Sequence, residues 1–105
     1  MKTTLEQPYK QFFGTLANQH RLDIINGLEH GPKNVSELCK QTNKNQTTMS
    51  HNLTRLEICG FVAVKQDGKK RIYTLNQKTI KPLLKLMHKH MNEHCKHVIG
   101  GTCNE

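Results

Sequence analysis

The chain has little apolar material and no tryptophan. Hydrophobic residues make up 34% and aromatic residues 5% of its 105 positions. This small number of apolar side chains can build only a modest core. We therefore expect one domain across residues 1–105. No apolar run is long enough to span a membrane, and the first ten residues lack the apolar core of a signal peptide. These absences predict no membrane partner and a cytoplasmic location.

Cysteine and acidic residues are also scarce. The four cysteines, Cys39, Cys59, Cys95 and Cys103, show no C-x-x-C spacing, which argues against a disulfide framework. No cysteine has a recognisable base nearby and no phosphate-binding glycine loop is present, so we do not expect an enzyme. The chain has 8 acidic residues and 16 lysines and arginines, which gives a formal charge of +8. That charge predicts a polyanionic partner, with nucleic acid the first candidate.

The polar segment from Asn45 to Gly60 has the pattern of a DNA-reading helix. Asn45 is suited to cap its start and Gly60 to follow its end. Met49, Leu53 and Leu56 recur at helical spacing, so one narrow face would meet a core. The rest of the surface carries short donors and acceptors that could contact bases and phosphates: Gln46, Thr47, Thr48, Ser50, His51, Asn52 and Arg55. An ordinary solvated face is the competing interpretation.

A basic hairpin is predicted directly after this helix. Two β-prone runs, 61–65 and 71–75, lie on either side of an Asp-Gly pair, which is a strong hairpin signal. With Asp67 and Gly68 as the turn, Lys65 would face Lys70 and Gln66 would face Lys69, so like charges would collect at the tip. A phosphate backbone would neutralise them, and the candidate contacts are Lys65, Lys69, Lys70 and Arg71. A lysine-rich edge that only discourages aggregation is the alternative.

Four further helices are expected around these two elements. Pro8 suits the first position of one helix, and a second should start after Asn18. Residues 34–37, Asn-Val-Ser-Glu, resemble a capping box at the start of a short third helix. The last helix should run from about Gln77 to His97. The predicted fold is mainly α with a small β-hairpin, a winged helix-turn-helix in the order ααααββα.

The last predicted helix carries an apolar seam that a small domain has no obvious way to bury. Its members are Ile80, Leu83, Leu84, Met87, Met91 and Val98, and Tyr9, Phe12 and Phe13 of the first helix could extend it. A homodimer through the first and last helices would cover this surface and present two reading helices about one DNA turn apart. We therefore expect a near-palindromic operator in double-stranded DNA. Packing within one chain is the alternative, and residues 98–105 are expected to form a flexible tail.

The segments LANQHRLDIINGL, VSELCKQT, QTTMSHNLTRLEICGFV and KKRIYTL, in this order between Leu16 and Leu75, resemble the ArsR/SmtB family of winged helix-turn-helix repressors. The resemblance implies a homodimeric cytoplasmic transcriptional repressor. An effector, commonly a metal or metalloid ion, would lower its affinity for the operator. The resemblance also assigns base and phosphate contacts to Gln46, Thr47, Ser50, His51 and Arg55.

The metal sites best known in this family are incomplete in the chain. One such site has two thiols two residues apart in the third helix, and only Cys39 is present here. Another pairs Asp-x-His near the start of the last helix with His-x-x-His or His-x-x-Glu from the partner chain. His90 and Glu93 match the second pair, whereas Gln77 and Thr79, which are poor ligands for zinc-like ions, occupy the first.

Ligand-type residues are instead concentrated near the end of the sequence: His88, His90, Glu93, His94, Cys95, His97 and Cys103. On a helix His90, His94 and His97 would share one face, and mixed imidazole and thiolate ligands suit Zn(II), Cu or a similar ion. A solvated histidine-rich helix end is the alternative. Cys39 is a weaker candidate ligand, since a buried cysteine in the core is the favoured explanation of that position.

Two other functions stay open beside a repressor released by a metal ion. The first keeps DNA binding but makes the sensor a thiol switch, with Cys95, Cys103 or Cys39 oxidised or persulfidated. The second, of another class, is a metal-handling or partner-binding module in which the basic surface serves only solubility.

Overall fold

The computed structural model describes residues 6–94, with side chains from residue 7 onward. The helices are α1 (Glu6–Leu16), α2 (Gln19–Leu28), α3 (Val35–Thr42), α4 (Gln46–Ile58) and α5 (Ile80–His94), and the strands are β1 (Lys33–Asn34), β2 (Val62–Asp67) and β3 (Lys70–Leu75). The predicted winged helix-turn-helix is confirmed, with one strand added. The short β1 pairs with β3, so the wing belongs to a three-stranded antiparallel sheet in the order β1-β3-β2. Within residues 6–94 no helix is long and apolar enough to cross a membrane.

Asparagine side chains begin three of the helices. Asn18 Oδ1 accepts from the Arg21 amide at 3.1 Å, and Asn45 Oδ1 accepts from the Thr48 amide at 2.8 Å. At α3, Asn34 Oδ1 accepts from the Glu37 amide at 2.8 Å, while the Asn34 amide donates to Glu37 Oε1 at 2.9 Å. The predicted capping box, the predicted cap of α4 and the predicted start of α2 after Asn18 are therefore confirmed.

The predicted bounds of the first and last helices need correction. Pro8 is not the first helical residue, because α1 already includes Glu6. The last helix begins at Ile80 rather than Gln77, because Asn76 Oδ1 accepts from the amides of Lys78 and Thr79 at 2.9 and 3.1 Å and forms a turn before it. The predicted end of this helix at residue 97 and the predicted tail 98–105 lie outside the described residues.

The core lies between α2, α3, α4 and the inner face of the sheet. The predicted inner stripe of α4 is confirmed, since Met49, Leu53 and Leu56 are fully buried. The other buried apolar residues come from every other helix, from the sheet and from the position just before β2: Leu16, Ile24, Ile25, Leu28, Leu38, Phe61, Val62, Tyr73, Leu75, Ile80 and Leu84. Only Ile80 and Leu84 of α5 belong to this set, so most of the last helix lies outside the core.

The end of α4 is fixed by a left-handed glycine. Gly60 has φ +77°, its amide donates to Glu57 O at 3.0 Å, and the Phe61 amide donates to Leu56 O at 2.9 Å. This pair of bonds is the Schellman arrangement that satisfies the last helical carbonyls. It also directs the buried Phe61 into the core, where its ring stacks on Phe12 of α1 with centroids 5.1 Å apart.

The register of the hairpin differs from the prediction by one residue at the turn. Gly68 and Lys69, not Asp67 and Gly68, are the two turn residues, because Asp67 pairs with Lys70. Gly68 has φ +66°, as expected for the first central residue of a type II′ turn. Lys65 therefore faces Ile72, and Asp67 faces a lysine of opposite charge. The prediction of like charges paired across the wing is wrong, although the tip remains basic.

Candidate nucleic-acid interface

The outer face of α4 is polar and exposed. Its exposed members are Gln46, Thr47, Ser50, His51 and Arg55, whereas Thr48 is half-buried. Within residues 7–94 none of the five exposed side chains makes a hydrogen bond or an ion pair. Their donors and acceptors are therefore available to an external partner. The predicted exposure holds for these five residues, and their contact with DNA stays a prediction.

Asn52 does not belong to this exposed face. Its side chain is only 5% exposed; Oδ1 accepts from Arg21 Nε at 3.2 Å, and Nδ2 donates to Thr48 O at 2.9 Å. The prediction that Asn52 points toward DNA is wrong, because its position three residues after Met49 places it on the inner side of α4. This spacing is the sequence signal that could have shown Asn52 to be buried. Only the fold brings Arg21 of α2 close enough to bond the buried amide.

The wing adds a basic surface beside α4. Lys65, Lys69 and Lys70 are exposed. Arg71 is engaged within the chain, since its Nη2 lies 3.9 Å from Glu57 Oε1 and its guanidinium carbon lies 5.7 Å from the centre of the Tyr73 ring. An ion pair this exposed stabilises the fold by at most about 1 kcal/mol. Its geometric effect is to connect the wing to the last turn of α4.

The wing and the starts of two helices enclose a shared cleft of about 250 Å³. Its lining residues are Asn34, Val35, Ser36, Gln46, Lys69, Lys70 and Arg71. The first residue of α4 and the basic tip of the wing thus border one concave surface. Sequence reasoning did not place Ser36, the second residue of α3, at this surface, because only the folded chain brings the start of α3 beside the wing.

An ion pair connects the turn before α4 to α2. Lys44 Nζ lies 2.9 Å from Asp23 Oδ2, and Gln19 Nε2 donates to Asp23 Oδ1 at 2.8 Å. The hydrogen bond from Lys44, and then that from Gln19, lowers the pKa of Asp23 below the usual aspartate value of 3.8. Asn43, with φ +58°, provides the left-handed residue that ends α3. The ion pair holds the turn between α3 and α4 against α2.

An apolar groove of about 590 Å³ runs between α1, α2 and α5. Its apolar lining comprises Phe13, Leu16, Ala17, Leu22, Ile25, Leu84, Met87 and Met91. A second hollow of about 300 Å³ on α5 is lined by Leu83, Leu86, Met87, His90 and Met91. Phe13 and Leu86 are 62% and 65% exposed, a large fraction for apolar side chains of this size. The surplus apolar surface predicted for the first and last helices is present.

The predicted metal ligands are only partly brought together. The rings of His90 and His94 lie 4.7 Å apart, and His94 Nε2 lies 3.9 Å from Glu93 Oε1. His88 instead approaches α2, with its Nε2 3.9 Å from Glu29 Oε2. Within the described part of the chain no three His, Cys, Asp or Glu side chains are grouped so that they could hold a metal ion.

The cysteines divide between the core and the undescribed end of the chain. Cys39 and Cys59 are half-buried, carry free thiols and pack against the core. The Cys59 thiol lies 3.5 Å from Thr15 Oγ1. Packing in the core accounts for both positions. The other predicted ligands, Cys95, His97 and Cys103, lie outside residues 6–94.

Comparison with known proteins connects this geometry to regulators of transcription. The model of the family described as "Bacterial regulatory protein, arsR family" matches residues 18–64. A Streptomyces lividans protein described as a probable mercury resistance operon repressor is 29% identical over 76 residues, which are 72% of this chain and 61% of that protein. The transcriptional activator HlyU of Vibrio cholerae is 28% identical over 74 residues, 70% of this chain and 68% of HlyU.

Solved structures agree over most of the chain. The homodimeric winged helix-turn-helix DNA-binding domain of Mb0332 from Mycobacterium bovis has a TM-score of 0.80 and 29% identity, covering 89% of this chain and 86% of that one. Rv0081 of M. tuberculosis has a TM-score of 0.83 and 26% identity, covering 93% and 99%. The chain spans 61% of the Streptomyces relative and 35% of another, the M. tuberculosis regulator Rv0324. The family-model match over residues 18–64 and the shared fold show that the chain has a winged helix-turn-helix domain similar to bacterial regulatory proteins of the arsR family.

Proposed function

We propose that the chain is a sequence-specific DNA-binding regulator of transcription, in which α4 enters the major groove and the wing contacts the phosphate backbone. The observation that carries this proposal is the exposed face of α4, whose polar side chains have no partner within the described residues, beside a basic hairpin. A polar face of this kind is what base-edge contacts require, and lysines at the wing tip supply sequence-independent attraction. Such a regulator would act in the cytoplasm.

The side chains divide into two roles. Those for base edges are Gln46, Thr47, Ser50, His51 and Arg55, which are exposed along about two and a half turns of α4. Those for phosphates are Lys65, Lys69 and Lys70 of the wing, with Thr48 at the helix start as a further contact. Arg71 contributes charge but is held toward Glu57 and Tyr73, so we assign it to positioning the wing.

We also propose a homodimer through α1 and α5. The support is the apolar groove between these helices and the exposed Phe13 and Leu86. The M. bovis domain with the same fold is homodimeric. Two-fold symmetry would present two copies of α4 to successive turns of the major groove, so the operator would be near-palindromic.

The effect of binding is proposed to be repression, relieved when an effector lowers operator affinity. The names of the relatives include both a repressor and an activator, so the direction has to be measured. A promoter reporter with and without the protein gives that direction. A coupling of about 1 to 3 kcal/mol between effector and DNA is enough for a useful switch.

We propose a transition-metal or metalloid ion as the effector, captured near the end of α5. The support is the close pair of His90 and His94 imidazoles, followed in the sequence by Cys95 and His97. Mixed imidazole and thiolate donors suit Zn(II) or Cu. The described residues do not by themselves complete such a site. A thiol switch at Cys39, Cys95 or Cys103 is the competing sensor.

A titration separates the two sensors. The reduced protein bound to DNA is titrated with Zn(II), Cu(I), Ni(II) or As(III), and release is followed by fluorescence anisotropy. Release by one of these ions, lost when both His90 and His94 are changed to Ala, supports metal sensing. Release by peroxide or polysulfide alone, reversed by reductant, would overturn it in favour of the thiols.

The DNA-binding proposal itself is tested with Arg55→Ala. The wild-type protein first selects duplexes from a random pool, and affinities for a selected duplex are then compared at matched salt. We expect Arg55→Ala to weaken binding about 5- to 150-fold, because one specific contact contributes about 1–3 kcal/mol. Lys85→Ala removes one positive charge from the exposed side of α5 and serves as the control. Equal affinity of Arg55→Ala and wild type would contradict the placement of the reading helix.

A further inference from the structure

A polar bridge joins the end of α1 to the middle of α4 through one guanidinium group. Arg21 Nε donates to Asn52 Oδ1 at 3.2 Å, and Arg21 Nη1 donates to the carbonyl oxygen of Thr15 at 3.3 Å. The other end of the Asn52 amide donates to Thr48 O at 2.9 Å. The planar guanidinium presents its donors in fixed directions, so it holds both acceptors only when α1 and α4 have this relative orientation.

A second contact connects α1 to the other end of α4. Thr15 is 1% exposed, and its Oγ1 lies 2.8 Å from Gln11 O and 3.5 Å from the thiol of Cys59, the residue that caps α4. Asn52 and Cys59 are about two helical turns apart. A helix held at two such points cannot rotate about its own axis without breaking one of them.

The polar character of Asn52 is not explained by packing alone. Asn52 is only 5% exposed, on a helix whose other inner residues are Met49, Leu53 and Leu56. An apolar residue would be buried there without any need for a partner, whereas a buried amide must keep its hydrogen bonds or lose stability. The amide therefore penalises every orientation of α4 in which Arg21 is out of reach.

We propose that Arg21 and Asn52 are positioning residues of the DNA interface, which fix the rotation of α4 relative to α1 and thereby the directions of His51 and Arg55. The inference rests on the proposed function of α4. His51 is adjacent to Asn52 in the helix, and Arg55 follows it by three residues. A rotation that breaks the bridge consequently moves both contact residues relative to the groove.

The bridge acts on discrimination between DNA sequences rather than on attraction to DNA. Base-edge hydrogen bonds require a defined helix orientation, while attraction to phosphates depends mainly on charge. Because α1 also belongs to the proposed dimer interface, the same bridge carries a change in dimer packing to the reading helix.

The test uses Asn52→Leu and Arg21→Lys in the full chain. Asn52→Leu removes the bridge at similar side-chain size. Arg21→Lys keeps the positive charge but replaces the two-armed donor with a single ammonium group. Ile80→Val, a small change in the core at the start of α5, controls for loss of stability alone. Affinities are measured for a duplex selected by the wild-type protein and for a scrambled duplex of the same composition, across a salt series.

We expect both bridge variants to lose about fivefold or more of the preference for the selected duplex, since misplacing even one base contact costs that much. Affinity for the scrambled duplex and its salt dependence should stay as in wild type. An unchanged preference in a folded bridge variant would overturn the inference. Equal losses of affinity for both duplexes, in proportion to the loss of stability as in Ile80→Val, would also overturn it. If Asn52→Leu does not fold, the result for Arg21→Lys alone tests the inference. Absence of any preference in wild type would instead refute the proposed function.

Discussion

Phe13 provides the sharpest quantitative prediction about the proposed dimer. Its ring is 62% exposed in the single chain, and its edge-to-face contact with Phe12 has centroids 5.2 Å apart. Full burial of such a side chain stabilises by roughly 1.5–3 kcal/mol, so burial of the exposed part would contribute roughly 1–2 kcal/mol in each protomer. A symmetric interface contains the residue twice. Phe13→Ala should therefore weaken dimerisation by roughly 2–4 kcal/mol, or about 30- to 700-fold in Kd.

Sedimentation equilibrium over a wide concentration range measures this change directly. Ile58→Ala is the matched control, because Ile58 is 75% exposed but lies at the end of α4, outside the apolar groove. Its dimer Kd should equal that of wild type. The fold of both variants is checked by circular dichroism, and neither side chain contributes to the core. A Kd for Phe13→Ala within threefold (~0.6 kcal/mol) of the control would refute burial of α1 in the dimer.

Two further predictions concern stability. Gly60→Ala should lower the free energy of unfolding in urea by about 1 kcal/mol, because a Cβ there meets no atom within 4 Å and the cost is that of the left-handed backbone alone. Gly14→Ala in α1 should raise stability instead, and a loss at Gly14 equal to that at Gly60 would contradict the explanation. Asp23→Asn should destabilise by about 0.2–1 kcal/mol near neutral pH. The pKa of Asp23 is lowered in the folded state. Its contribution to stability is therefore present above pH 3.8 and disappears as the pH falls through the lower folded-state pKa. A stability difference between Asp23→Asn and wild type that persists in acid would refute this explanation.

Local signals made much of the fold predictable. Each asparagine cap is an interaction between residues three positions apart, so Asn18, Asn34 and Asn45 could be identified without knowledge of the rest of the chain. The buried stripe of α4 follows from helical spacing alone. Gly60 at the helix end was recognisable for the same reason, since its conformation is required by its immediate neighbours.

Features that depend on distant partners were not predictable in the same way. The turn register requires the choice of which residue adopts positive φ, and the Asp-Gly pair is compatible with either position of Gly68. The strand β1 exists only because it pairs with β3. Asn52 looked like a surface residue because the donor that satisfies it, Arg21, is 31 positions away in the sequence. At the candidate site, the sequence therefore identified the exposed polar side chains of α4 but not the buried bond between Arg21 and Asn52 behind them.

The central claim is that α4 and the wing form the DNA surface. Its most direct test is an NMR titration of isotope-labelled protein with a duplex selected by the wild-type chain. The account predicts the largest amide shift changes at residues 46–55 and at the wing tip, residues 65–71, with small changes along the exposed side of α5 around Lys85. Changes concentrated on α5, with α4 and the wing unaffected, would contradict it.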